Sequence, residues 1–241
     1  MSNTPIYSDA ALWVAEGASI VDEAARSAAS LARHMPGLPR ILATPDKDRP
    51  AGFDRIIPLK PDASPHVLLR HVAYIHQAFG QLDCERAIYL DTDVYICDAL
   101  DGLFELLSYY DLAGCHSPRR FDPARMVYPI PETFTELNLG VLAFQVNLLV
   151  TGLFDNWLAL SRAHAELYGN DAQSPLRDAM WDWTGRVCVL PTEWNFRFMW
   201  GGQVNGRVRI LHGRSDDIQQ VERTVNAKPA KIRAWRRGEL F

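Results

Sequence analysis

Between residues 11 and 90, short apolar runs alternate with longer stretches whose apolar residues recur at helical spacing, and this order limits the folds open to the chain more than any other feature. Residues 11–15 (ALWVA) are short, continuous and apolar, as expected of a buried first strand. Residues 19–34 have helical spacing, with Ser19 as the expected N-cap and Pro36-Gly37 as the stop. Strands are predicted at 40–43 and 55–59, a helix opened by Ser64-Pro65 at 64–79, and a strand at 87–90. Strand, helix, strand, strand, helix, strand is the pattern of an α/β domain with a mainly parallel central sheet flanked by helices. Such sheets bind ligands beyond the carboxyl ends of their strands.

The later chain continues the pattern. A helix is expected at 100–109, a strand at 111–115 and a strand at 141–145 introduced by Leu137-Asn138-Leu139-Gly140. Helices follow through Trp157 to about Leu167 and at 175–183, then strands at 187–190 and 208–211, the last running into His212-Gly213. The intervening loop 117–131 is long and rich in Pro and Arg, and is expected to be a mobile lid or binding loop. With 241 residues the chain reads as one domain, 1–241, in which 215–241 form a basic tail or helix. Lys228, Lys231, Arg233, Arg236 and Arg237 in that tail read as a solvated face, with peripheral contact to an anionic membrane as the alternative.

A net charge of −4 gives no sign of a nucleic-acid partner. Cys84, Cys97, Cys115 and Cys188 lack C-x-x-C spacing, so reduced, buried thiols are expected. No apolar run approaches the roughly 18 residues of a membrane span, and no basic-then-apolar leader begins the chain. A cytoplasmic location without a transmembrane segment is the resulting expectation.

Chemistry concentrates in residues 86–100, RAIYLDTDVYICDAL. An apolar approach delivers Asp91 and Asp93, whose i, i+2 spacing puts both carboxylates on one face of an extended chain. Two anions so close favour a divalent cation between them. The other reading is a pair of aspartates in a strand-ending turn, hydrogen-bonded to nearby backbone.

Several ordered signatures accompany the pair: Ala29-Ser30-Leu31, Leu42-Ala43-Thr44-Pro45, Asn138-x-Gly140-Val141, Gln173, Leu190-Pro191-x-x-Trp194-Asn195, and a terminal strand ending in His212-Gly213. Over residues 11–214 the chain resembles the glycosyltransferases of the GT-A fold, most closely the family 8, glycogenin-like group. The resemblance implies that Asp91, Asp93 and His212 ligate Mn²⁺ (or Mg²⁺), which neutralises the diphosphate leaving group of a nucleotide-sugar donor. It further implies donor contacts from Ala15, Asp46, Arg70, Thr92, Asn138, Gly140, Gly213 and Arg214, with Trp194 and Asn195 toward the acceptor. Gln173 matches the glutamine of the family's Asp-Gln pair near the reacting carbon, while Ala172 stands where the aspartate is expected, so that Asp171 serves as the catalytic carboxylate through a one-residue shift or not at all. Ile20 replaces the family's aromatic after the first strand, and the Gly-x-x-Lys expected after the histidine is absent, leaving Arg214 to supply phosphate charge.

The implied activity is metal-dependent transfer of a hexose from a nucleotide diphosphate sugar, UDP-linked, to a glycan, protein or lipid hydroxyl, with retention. Two other readings exist. A non-catalytic protein could bind sugar nucleotides or glycans on the same fold, as the Ala172 departure suggests. A haloacid-dehalogenase-type phosphatase would use Asp91 as nucleophile, although Tyr95 stands where that group has Thr or Val.

Overall fold

The structure, a computed structural model, describes residues 6–47, 49–236 and 239–240. Its frame is a seven-stranded sheet. β1 (Tyr7–Val14), β2 (Arg40–Thr44), β3 (Arg55–Pro58) and β4 (Cys84–Leu90) run parallel in the order β3-β2-β1-β4. The crossovers are α1 (Ala18–Ala32), between β1 and β2, and α2 (Val67–Phe79), between β3 and β4. After β5 (Val94–Ile96) and α3 (Asp101–Leu106) come β6 (Leu112–His116) and β7 (Leu137–Gln145). β7 lies between β4 and β6, antiparallel to both, and β8 (Val187–Leu190) completes the sheet parallel to β6. The chain thus has the mainly parallel α/β sheet expected, with its strand order reversing at β1 and β4. A crevice opens at such a reversal, outside the carboxyl ends of the strands.

The apolar run in β1 is explained by its two faces. Ala10, Leu12 and Val14 enter a core shared with α2, α4 (Leu148–Ala163), α5 (Ala165–Tyr168) and α6 (Gln173–Trp181); Ala11, Trp13 and Ala15 enter a second core against α1 and α3. Burial on both sides removes the polar alternation that a half-exposed strand would show. β1 begins at Tyr7, before the predicted start, because Asp9 forms a cross-strand ion pair with Arg86 at 2.6 Å that makes a polar residue compatible with the ladder. Cys84, Cys97 and Cys115 are buried free thiols, and burial pushes Cys84 and Cys115 up to about 12.

Three expected boundaries shift for local reasons. Gly17, not Ser19, caps α1, with φ of 90° that a side chain would oppose, and Asp46 accepts its N–H at 2.6 Å. α2 starts at Val67, because Pro65 holds Ser64 out of helical geometry. Leu137-Asn138-Leu139-Gly140, expected to lead into the strand at 141–145, already lies inside β7.

The carboxyl-terminal part adds β9 (Gly202–Asn205), β10 (Ile210–His212), α7 (Ile218–Val225), β11 (Ile232–Arg236) and β12 (Glu239–Leu240). β9, β11 and β12 form a small sheet over a third core containing Phe196, Phe198, Leu211 and Trp235. In the basic tail Lys228, Lys231 and Arg236 are exposed as expected, whereas Arg233 is buried and donates to the carbonyls of Lys228 and Gly206; Arg237 lies outside the described residues. Among the described residues no helix is long and apolar enough to cross a membrane.

The long loop between β6 and β7 is tied down from beneath. Arg177 on α6 is fully buried, pairs with Asp178 at 2.7 Å and Glu136 at 3.5 Å, donates to the Arg125 carbonyl at 2.7 Å and lies under the Phe121 ring. Asp178 also accepts Val127 N–H and the Tyr168 hydroxyl. A loop anchored to a helix by buried charges has a defined position, so it does not match the expectation of a free lid. Arg177→Ala should leave Asp178 without its counter-charge and Glu136 with Arg119 alone, and cost about 3–5 kcal/mol in urea unfolding, with faster proteolysis in 117–136; an unchanged midpoint and digestion pattern would contradict the anchoring.

Candidate functional site

The crevice predicted by the strand order is a cleft of about 570 Å³ bounded by the carboxyl ends of β1 and β4, by α2, β7, the start of α6 and the segment after β10. A depression of about 670 Å³ at the other end of β1 surrounds the Asp9–Arg86 pair and contains no comparable cluster of ligating groups among the described residues. Chemistry rather than size therefore selects the first.

Three backbone constraints bring Asp91, Asp93 and His212 together. Beyond β4, Asp91 N–H donates to the Gly140 carbonyl at 3.0 Å, keeping the chain beside β7 as it turns into β5. β10 pairs antiparallel with β5, setting His212 opposite Val94. Gly213 N–H then donates to the Asp93 carbonyl at 2.9 Å. His212 Nε2 lies 3.3 Å from an Asp93 oxygen and 3.6 Å from an Asp91 oxygen. Ligating atoms from all three residues fall within 4.8 Å of one another.

The ring sits against bare backbone. A Cβ at Gly140 would overlap the His212 imidazole, so glycine is required there by the histidine. Behind the ring, Asn195 Nδ2 donates to Asn138 Oδ1 at 3.0 Å, which turns Asn195 Oδ1 toward His212 Nδ1 at 2.8 Å. Nδ1 therefore carries the proton and the Nε2 lone pair faces the carboxylates. Arg197 NH1, which can only donate, meets that lone pair at 2.7 Å. A lone pair beside two carboxylates is repulsive unless positive charge intervenes, and the donor set, one imidazole and two carboxylates with an oriented supporting shell, fits a divalent cation. Arg197 and such an ion compete for the same lone pair.

A second supporting chain reaches Asp91. Tyr89 hydroxyl donates to Asp91 Oδ1 at 2.6 Å and lies 2.7 Å from His71 Nε2 on α2. Burial and the Asp91 charge hold the Tyr89 phenol well above its ordinary value, so it remains a donor. Burial lowers His71, outweighing the opposing charges of Asp91 and Glu16. Burial alone would raise Asp93, but the positive charges beside it, Arg214 and Arg197 among them, hold it below the usual range.

Other predicted site residues separate into groups. Gln173, Asp171, Asn138, Gly140, Thr92, Arg214 and Ile20 all border the cleft. Arg214 is two-thirds exposed at the rim, chelating Glu23 at 2.7 Å and reaching Asp93 at 3.5 Å. Gly213 has φ of 131°, which favours glycine, and packs against Met199. Asp171 lies beneath the cleft surface, accepting from Arg119 at 2.6 Å, Arg125 at 3.2 Å, Ser174 at 2.7 Å and Gln173 N–H at 2.9 Å. Burial would raise its pKa, and these donors outweigh burial and lower it.

Five residues are placed elsewhere than expected. Ala15 is buried in the second core. Asp46 faces α1 and holds its first turn. Arg70 is turned to Glu16 at 3.2 Å and the Ser64 carbonyl. Trp194 packs on Arg209, its ring centre 4.9 Å from the guanidinium, and stays out of the cleft; Asn195 is the buried support of His212. Sequence offered no assignment for His71, Arg119, Arg125 or Arg197. Tyr89 alone carried a signal, since i, i+2 spacing on a strand puts it on the face of Asp91.

No protein-family model matches the chain, and no curated protein matches its sequence. Solved structures do match in fold. The glycosyltransferase GlyE of Streptococcus pneumoniae TIGR4 superposes with TM-score 0.61 at 18% identity over 88% of this chain, which spans only 55% of GlyE. The galactosyltransferase LgtC, solved with donor and acceptor sugar analogues, gives 0.61 at 16% identity, covering 86% of this chain and 87% of LgtC. Mouse xyloside xylosyltransferase 1 gives 0.56 at 15% identity, covering 86% and 98%. The fold is that of GT-A glycosyltransferases. Asn195→Ala, which frees the imidazole to rotate, should weaken Mn²⁺ binding in calorimetric titration by about 10–100-fold; an unchanged affinity would refute its orienting role.

Proposed function

We propose that the chain is a metal-dependent glycosyltransferase moving a hexose from a nucleotide diphosphate sugar, UDP-linked, to an acceptor hydroxyl with retention of configuration. The observation that carries this reading is the His212 Nε2 lone pair converging with two carboxylates at the strand-order reversal of a GT-A sheet. The charge of the cleft supports it. Glu16, Asp91, Asp93 and Asp171 are balanced by Arg119, Arg125, Arg197 and Arg214, so a bound divalent cation leaves an excess of two positive charges for a doubly negative diphosphate.

Asp91, Asp93 and His212 would hold Mn²⁺ or Mg²⁺, which when bound supplies Lewis-acid stabilisation of the departing diphosphate. Arg214, at the rim beside Asp93, would hold the same phosphates. Asn138 is fixed by the Asn195 amide and by Gly140 N–H at 2.9 Å, giving the sugar side of the cleft a rigid wall. Gln173 and Asp171 border the same side, where Gln173 Nε2 donates to Ser117 hydroxyl at 3.3 Å. Retention is supported by what Asp171 lacks: with five hydrogen bonds and a lowered pKa, it is a poor general base for an attacking hydroxyl. Reduced cysteines fit a cytoplasmic setting.

The same saturation of Asp171 favours, as a second reading, a protein that binds sugar nucleotides without turning them over. The two are separated by incubating the protein with Mn²⁺ and a panel of UDP-hexoses and measuring UDP release. The transferase reading expects Mn²⁺-dependent release that falls by about a hundredfold to a thousandfold in Asp93→Ala and His212→Ala. Nucleotide binding with no release for any donor would establish the second reading, and equal release by both variants would sink the metal assignment.

A further inference from the structure

A groove leaves the cleft on the side of the small carboxyl-terminal sheet. Arg197 borders both the cleft and the groove, with Ser117 and Pro118 on one wall and Thr192, Gln203 and Trp200 on the other. At about 610 Å³ the groove is within the range of small-molecule sites. Its indole platform is unusual for this chain. Trp13, Trp157 and Trp235 are buried with their N–H groups bonded, whereas Trp200 is 65% exposed just before the Gly201-Gly202 turn.

The charge of the groove is one-sided. Arg119, Arg125 and Arg214 are all paired with carboxylates, but Arg120 and Arg197 have no carboxylate partner among the described residues. The groove's carboxylate, Glu193, is buried and turned to Asn205 N–H. Arg120 is also the one non-glycine residue with positive φ among those described, at 67°, held by its N–H to the Ser117 carbonyl at 3.0 Å and its own carbonyl to Glu136 N–H at 2.7 Å. A left-handed backbone at a bulky residue costs stability and concentrates at ligand-binding positions. Here it delivers an exposed guanidinium to the groove beside His116.

We propose that this groove is the acceptor site and that it takes an oxyanion-bearing saccharide, its ring stacked on Trp200 and its carboxylate or phosphate held by Arg120 and Arg197. The proposal rests on the transferase reading for the word acceptor, and on the groove alone for the saccharide class. An aromatic face suits the C–H surface of a pyranose, and planar guanidinium groups suit carboxylate and phosphate oxygens. Arg197 links the two sites, since its guanidinium also touches His212 Nε2.

The test is calorimetric titration of the full chain, without nucleotide, using digalacturonic acid, trehalose 6-phosphate, cellobiose and trehalose. At least one anionic disaccharide should bind about tenfold or more tightly than its neutral counterpart, and which one does so identifies the oxyanion. Trp200→Ala and Arg120→Gly should each weaken that binding by a similar factor. Glycine adopts the backbone of residue 120 without strain, and Trp200 is exposed, so both variants keep the fold. Neutral and anionic disaccharides binding equally, or affinities unmoved in both variants, would overturn the saccharide class. A parallel titration of UDP with Mn²⁺ should be unchanged in both variants. If the wild type bound the saccharide but not UDP, the acceptor role and the transferase reading would fail while the groove assignment stood.

Discussion

A histidine ring pressed against a strand with no side chain is the contact on which the rest of the site depends. Gly140 removes the Cβ that would overlap His212, and its carbonyl receives Asp91 N–H, so one residue fixes both the imidazole and the start of the carboxylate turn. The strands supply this contact from distant parts of the sequence. β7 must insert between β4 and β6, and β10 must pair with β5, before any ligating atom is in place. Fold and site are therefore specified by the same hydrogen bonds.

Around that contact the structure orients polar groups in two supporting chains. One runs Asn138, Asn195, His212 and sets which ring nitrogen carries the proton. The other runs His71, Tyr89, Asp91 and fixes a carboxylate oxygen. Tyr89 belongs at the same time to one of the two apolar cores, so the second chain is built into the packing of the sheet. The buried Glu136–Arg177–Asp178 cluster has a different task, because it sets the position of the loop that presents Arg119, Arg120 and Arg125. Buried charges are costly alone, and here the compensation they need from one another ties a long connection to one place.

What the sequence made legible follows from the range of the physics involved. The sheet class could be read from β1, since a strand covered on both faces leaves a continuous apolar run, and the Asp91-Asp93 pair could be read because spacing along one strand is local. His212 was reachable from the resemblance to GT-A enzymes, and the structure brings it to the pair. Trp194 was picked out over Trp200 from the resemblance, because composition says nothing of which indole a fold leaves in solvent. Arg197 and the arginines of the 117–136 loop were invisible as site residues, since their places depend on pairings across the chain. The Ser19 cap failed for a subtler reason: Gly17 and Asp46 do that work across 29 residues, outside any local window.

The central claim is that Asp91, Asp93 and His212 form a cation site that holds a nucleoside diphosphate. Electron paramagnetic resonance of Mn²⁺ added to the protein with UDP labelled with ¹⁷O on the β-phosphate tests it most directly. The account predicts one bound ion per chain whose signal is broadened by the label, as occurs when a phosphate oxygen coordinates the metal. A spectrum of free aqueous Mn²⁺, or a bound ion whose lines are indifferent to the label, would contradict it.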